Sequence, residues 1–212
     1  MINLITTFYI NSTNQYRNNE LKESLNLNLQ NPLIEKIHLY LDDEIALEYV
    51  KGLKNNKIYI IGVGKKPLYS DLFGYGINNL NGKICLVSNA DIFLYECNIG
   101  ILNKLNEPGV VFALTRYEYN LSCPLIKDYG GSHDCFMFKS PLNKELLQHI
   151  QHVQHHWNSE GVVLFELNRI GAKLYNPCHQ IKIVHLHASN VREPNRITYS
   201  DERRFLLPPC TL

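Results

Sequence analysis

Apolar positions in the first half of the chain form short β-rich blocks, and residues 19–30 between them show helical spacing. Residues 3–9 form an apolar, β-branched run that predicts a buried strand. Residues 19–30 put Leu21, Leu25 and Leu29 on one face at spacings of four, which predicts a helix. An alternating segment at 36–41 reads as a second strand, 44–52 as a short helix and 57–63 as a third strand. A helix over 70–80 with Ser70 as its cap and a largely apolar fourth strand at 83–88 complete this half. Four strands joined by helical crossovers predict an α/β fold whose mostly parallel central sheet is flanked by helices.

The second half has a different pattern. Strands are expected at 110–116 and 135–139, separated by a Gly-Gly loop at 130–131. Helical patterns follow at 143–156 and 160–170, then extended stretches at 173–176 and 181–187. The segment 190–212 is polar and proline-punctuated. We expect one domain over 1–189, with 190–212 a tail that wraps it or links it to a further domain of a longer chain.

A sheet of this kind binds ligands beyond the carboxyl ends of its strands. Those ends carry Thr6, Thr7 and Tyr9, then Asp42 and Asp43, then Lys65 and Lys66, then Asn89 and Asp91. The densest chemistry lies in residues 83–96, KICLVSNADIFLYE, where a buried strand delivers Asn89 and Asp91 to the crevice mouth. A carboxylate there suits a hard divalent cation that neutralises a diphosphate leaving group. Asp91 is the candidate direct ligand, and Asn89 a neutral oxygen ligand or ribose contact. Both residues serve equally well as turn caps after a strand.

Three further segments carry candidate groups. His185 and His187 stand two apart in an extended stretch and so share a face, either completing a metal shell or packing structurally. Glu160 opens a helix, where the positive end of the dipole favours the ionised form. It reads either as a base for an acceptor hydroxyl or as a plain capping acid. Asp134, between the glycine loop and a strand, is a rival base or a grip for donor hydroxyls. Gly62-Val63-Gly64-Lys65-Lys66 lacks the spacing of a phosphate loop and reads as a strand-end turn. His149, His152 and His156 fall near one helical face, which reads as solvated surface without a cysteine to finish a zinc site.

Composition narrows the partners. The formal net charge of +1 argues against a general nucleic-acid binder. Six cysteines without a CxxC pair read as reduced packing residues. The first residues lack the pattern of a secretory signal, and no apolar run suffices for a membrane span, so a cytoplasmic address is expected.

The order ITTFY, LDDE, LVSNADIF, FALTR, SHDCFMFKSP, GAKLYNP and IVHLH resembles small GT-A-type glycosyltransferases. More narrowly, it resembles the glycosyltransferase domains of large DNA viruses, chlorella viruses among them, which would place the chain in host cytoplasm. The resemblance spans residues 3–189. It implies a nucleotide-sugar donor, a Mn2+ or Mg2+ ion and a carbohydrate or glycoconjugate acceptor. The reaction implied is transfer of a hexose or deoxyhexose from a UDP-sugar such as UDP-glucose. Asn89-Ala90-Asp91 stands where that fold carries Asp-x-Asp, one charge poorer. His187 or His185 matches the carboxyl-side histidine of the metal shell, and Glu160 falls where such enzymes often carry a catalytic acid. The resemblance also implies that Thr6, Thr7 and Tyr9 line the nucleoside pocket and that Arg17 reaches the diphosphate. Asp42 or Asp43 would accept a hydrogen bond from base or ribose, and Tyr69 and Asp71 would close the pocket. Each is equally a turn or helix-start residue.

Two other classes compete. Nucleotidyl transfer to a sugar phosphate calls for a glycine-rich loop after the first strand, and residues 5–17 contain no glycine. A non-catalytic nucleotide-sugar or glycan-binding module is the alternative that turnover would separate from an enzyme.

Overall fold

The computed structural model describes residues 1–119, 132–154, 158–187, 203 and 205–212. Strand β1 (Ile2–Phe8) leads to α1 (Gln15–Gln30), β2 (Ile34–Leu41), α2 (Glu44–Gly52), β3 (Ile58–Val63), α3 (Tyr69–Asn79) and β4 (Ile84–Ser88). Then come β5 (Ile92–Cys97), a 3-10 helix (Ile99–Asn106), β6 (Val110–Thr115), β7 (Tyr117–Glu118) and β8 (His133–Lys139). The described elements end with α4 (Leu146–His149), α5 (Ser159–Arg169), β9 (Lys173–Tyr175) and β10 (Ile181–His185).

Seven strands form the central sheet in the order β3-β2-β1-β4-β8-β6-β9. Strands β1 to β4 are parallel, β6 pairs parallel with β9, and β8 runs antiparallel between β4 and β6. The mostly parallel sheet expected from the pattern is therefore present. Because β8 runs the other way, its first residues lie at the edge where β4 ends, beside Ser88.

Alternation along each strand divides the core between two faces. Leu4, Phe8, Leu86, Phe112, Leu114 and Met137 pack on one face with Leu21, Leu25 and Leu29 of α1. Ile5, Val87, Val111, Phe136 and Phe138 point to the other, against Leu72 and Phe73 of α3 and Val163, Leu164 and Leu167 of α5. Burying each such side chain is worth about 1.5–3 kcal/mol, so both faces have to be covered.

A second sheet, β5-β10-β7, stands beside the first. Its β5 edge is held by α1, whose Asn28 donates to the Ile92 carbonyl at 2.9 Å and accepts from the Leu94 N–H at 3.1 Å. A two-residue β7 carries no pattern long enough to predict. Two helix expectations change. α3 starts at Tyr69 with Leu68 as its cap residue, and Asp71, not Ser70, accepts the Leu68 N–H at 2.9 Å. The expected helix at 143–156 reduces to α4, and His152 lies buried with its Nε2 3.0 Å from the Ser159 carbonyl, not on a solvated face. His155, His156 and the Gly-Gly loop fall outside the described residues.

The end of the chain returns to the domain. His133 Nε2 lies 3.2 Å from the Leu207 carbonyl, and the Cys210 N–H donates to the Asn176 carbonyl at 2.9 Å.

Candidate metal and donor site

Polar side chains from both sheets meet at the carboxyl edge of β4. The turn 89–91 follows β4, and its Asn89 N–H donates to the Asp134 carbonyl at 3.2 Å, which ties the turn to β8. Asp91 then faces β10, because the Leu186 N–H donates to the Asp91 carbonyl at 2.8 Å. Arg17 arrives from the first turn of α1. That turn is fixed by Asn14, whose side chain accepts the Arg17 N–H at 2.9 Å, and by Asn11, which accepts N–H groups of Thr13 and Asn14.

Three cationic or imidazole groups surround Asp91, which is 6% exposed. Its Oδ2 lies 2.7 Å from Arg17 Nη2, 3.1 Å from His185 Nε2 and 3.6 Å from His187 Nδ1. Burial pushes the Asp91 carboxyl up, but His185, His187 and Arg17 together hold it well below the usual range. His185 is also 3.2 Å from Glu118 Oε2 through Nδ1. Burial lowers the His185 imidazole, yet the two carboxylates win and raise it to about 9. Glu118 is in turn pulled down to about 2, by His185 first and Arg116 next, against its burial.

A second group adjoins the first. The Asn89 amide donates to Asp134 Oδ1 at 2.9 Å and to Glu160 Oε1 at 3.3 Å. Arg116 donates to Asp134 Oδ2 at 3.0 Å and to Glu118 Oε1 at 2.8 Å. Asp91, His185, Glu118, Arg116, Asp134 and Asn89 thus follow one another around the crevice. Glu160 is pushed up to about 7 by burial and then by the Asp134 charge. Those two effects outweigh the helix-start position, which alone predicts an ionised carboxylate. Among the described residues, Asn89 Oδ1 is a buried oxygen without a hydrogen-bond partner.

The remaining sequence candidates divide. Thr6 is buried and donates to the Ser88 carbonyl at 2.9 Å, bracing β1 against β4. Tyr9 accepts from Arg17 Nε at 3.1 Å, so it supports the arginine. Tyr69 is 1% exposed and packs edge-on against Phe136 beneath the acid pair. Thr7 is half-buried on β1. Asp42, Asp43 and Asp71 lie at the β2 and β3 side of the same edge. Asp43 caps α2 through the Ala46 N–H at 2.8 Å, while Asp71 caps α3 and stands 3.7 Å from Lys65. Asp42 is raised by burial, with Lys66 opposing.

Two members of the ring escape sequence reasoning, Arg116 and Glu118. The available signal was their i, i+2 spacing just after β6, which puts both on one side of an extended segment.

The set Asp91, His185 and His187 brings one donor atom from each residue within 4.8 Å of the others. No helix among the described residues is long and apolar enough to cross a membrane. No protein-family model and no curated protein matches the chain. Solved structures do. The mannosyltransferase PcManGT from Pyrobaculum calidifontis, in complex with GDP-Man and Mn2+, matches with a TM-score of 0.54 at 10% identity over 89% of this chain and 57% of its own. S. aureus TarS 1–349 in complex with UDP-GlcNAc matches with a TM-score of 0.54 at 9% identity, over 91% of this chain and 61% of that one. The chain therefore spans about three-fifths of the length of the solved proteins it matches. Neither is a viral protein, so the narrower viral resemblance finds no support there. At such identities the likeness is one of fold: the chain shares the GT-A-like α/β architecture of solved glycosyltransferases.

Proposed function

We propose that this chain is a metal-assisted glycosyltransferase that moves a hexose or deoxyhexose from a nucleoside-diphosphate sugar to a glycan or glycoconjugate hydroxyl. The observation that carries the reading is the convergence of Asp91, His185 and His187 on one point of the crevice, beside an acid pair bridged by Asn89. Two solved proteins of the same fold support it, since one is described with GDP-Man and Mn2+ and the other with UDP-GlcNAc. A UDP-sugar, with UDP-glucose as the first probe, is the donor we infer. Residues 1–189 would form the catalytic domain.

The residues fit a divalent ion that displaces the proton His185 holds between Asp91 and Glu118. Ligands held at about 2.1 Å from one ion lie about 3 Å apart, and Asp91 Oδ2 stands 3.1 and 3.6 Å from the two imidazole nitrogens. Two imidazoles with one carboxylate suit Mn2+ better than Mg2+, which prefers an all-oxygen shell. When bound, the ion would neutralise charge on the departing diphosphate.

The chain's own groups do the rest. Arg17, already at the site, offers guanidinium donors to a diphosphate oxygen. Arg116 and Asn89 fix Asp134 from both sides, leaving it to hold donor hydroxyls. Glu160 accepts from Asn89 at 3.3 Å and from the Ser159 hydroxyl, yet burial and the Asp134 charge keep it near neutrality. It is the base that takes the acceptor hydroxyl proton onto its carboxylate. Thr7 and Asp42, whose side chains are not tied as helix caps or strand braces, are the contacts we assign to the nucleoside.

The test is release of nucleoside diphosphate from labelled nucleotide sugars with Mn2+ and a panel of acceptors. Release that disappears in Asp91→Ala supports the enzyme. Binding without release across the panel favours a nucleotide-sugar-binding module instead.

A further inference from the structure

Arg17 occupies the side of the candidate ion site that two of its three ligand atoms face. Nη2 lies 2.7 Å from Asp91 Oδ2 and Nη1 lies 3.0 Å from His187 Nδ1. A guanidinium only donates hydrogen bonds, so His187 Nδ1 must present its lone pair to Arg17. That is the same lone pair a metal ion would use. The arginine is not a loose neighbour, since Tyr9 Oη, Glu20 Oε2 and the Leu186 carbonyl accept from it at 3.1, 3.1 and 3.5 Å. Its side chain is 10% exposed.

We propose that Arg17 is a built-in counter-ion that competes with the divalent cation for Asp91 and His187 and keeps the site closed until an anionic ligand draws the guanidinium away. This rests on the reading of Asp91, His185 and His187 as metal ligands. One imidazole lone pair serves one partner, and an ion at Asp91 Oδ2 would also repel the guanidinium held there at 2.7 Å, so loading the ion displaces the guanidinium. A diphosphate entering the crevice supplies the acceptor oxygens that make withdrawal favourable. Coupling of ion and donor then follows from one side chain with two alternative partners.

The experiment is Mn2+ binding to the full chain, measured by titration calorimetry and by loss of the free-ion spin-resonance signal, in wild type, Arg17→Gln and Arg17→Lys. Arg17→Gln should bind Mn2+ tighter than wild type by about tenfold or more, with Arg17→Lys between them. If Arg17→Gln is poorly folded without metal, recovery of its native melting transition on adding Mn2+ supports the same conclusion, and failure to recover counts against it. Equal or weaker binding by a folded Arg17→Gln overturns the competition but leaves the metal site standing. Absence of binding in wild type and both variants removes the metal site itself, and the competition with it.

Discussion

The Arg17 guanidinium and the Asp91 carboxylate meet at 2.7 Å beyond the end of β4, with their side chains 10% and 9% exposed. Removing one charge from such a pair leaves the other buried and uncompensated, at a cost of about 3–5 kcal/mol. Asp91→Asn should therefore lower the unfolding free energy by that order, read by urea denaturation. It should also lose Mn2+-dependent release of nucleoside diphosphate. A folded variant with wild-type stability would show that the pair does not hold the turn.

Glu118 acts on the site through His185. Its carboxylate takes the Nδ1 side of the ring, so Nε2 is left pointing at Asp91. Loss of such an outer partner typically costs 10–100-fold in metal affinity. Glu118→Gln should weaken Mn2+ binding by about that range. Its stability should change little, because the Glu118 side chain is 55% exposed. Mn2+ affinity and melting temperature, measured together, separate the two effects.

Glu160 gives a pH signature. Its pKa is raised from 4.5 to about 7 by burial and Asp134, so transfer should rise with pH through about 7 as the base ionises. Stability runs the other way. A carboxyl whose folded pKa exceeds its unfolded value contributes stability that is present below pH 4.5 and lost as pH rises through about 7. Glu160→Gln should slow transfer by about 10²–10⁴-fold, and above pH 7 it should be no less stable than wild type. A loss of stability in the variant across that range would assign Glu160 a structural role instead.

Acid should weaken the fold through two buried histidines of the central sheet, His38 and His133. Burial lowers both His38 and His133 from 6.5 to about 4. Each is neutral when folded but takes up a proton when unfolded. The stability they contribute is therefore present above pH 6.5 and lost as pH falls toward 4. The slope is up to about 1.4 kcal/mol per pH unit for each group. Denaturation midpoints at several pH values test this, and His38→Gln should flatten the acid limb.

Most of the central sheet was legible because its strands are buried on both faces and stand out as apolar blocks. The clustering of Asp91 with His185 and His187 was legible as well, since a strand exit and a paired spacing mark them. The expected ionised Glu160 was not, because its environment depends on Asp134, 26 residues earlier in the chain. Glu118 escaped for a similar reason: a two-residue strand has no period, and its partner His185 is 67 residues away. His152 was misplaced because three histidines at helical spacing imitate a solvated face, whereas the His152 ring is buried against the Ser159 carbonyl.

The most direct test is to locate Mn2+ by its anomalous scattering in crystals grown with the ion and a nucleoside diphosphate. The account predicts a single strong peak bounded by Asp91, His185 and His187, with Arg17 turned from Asp91 toward the diphosphate. Ion and nucleotide bound away from Asp91, with the Arg17 contact intact, would contradict it.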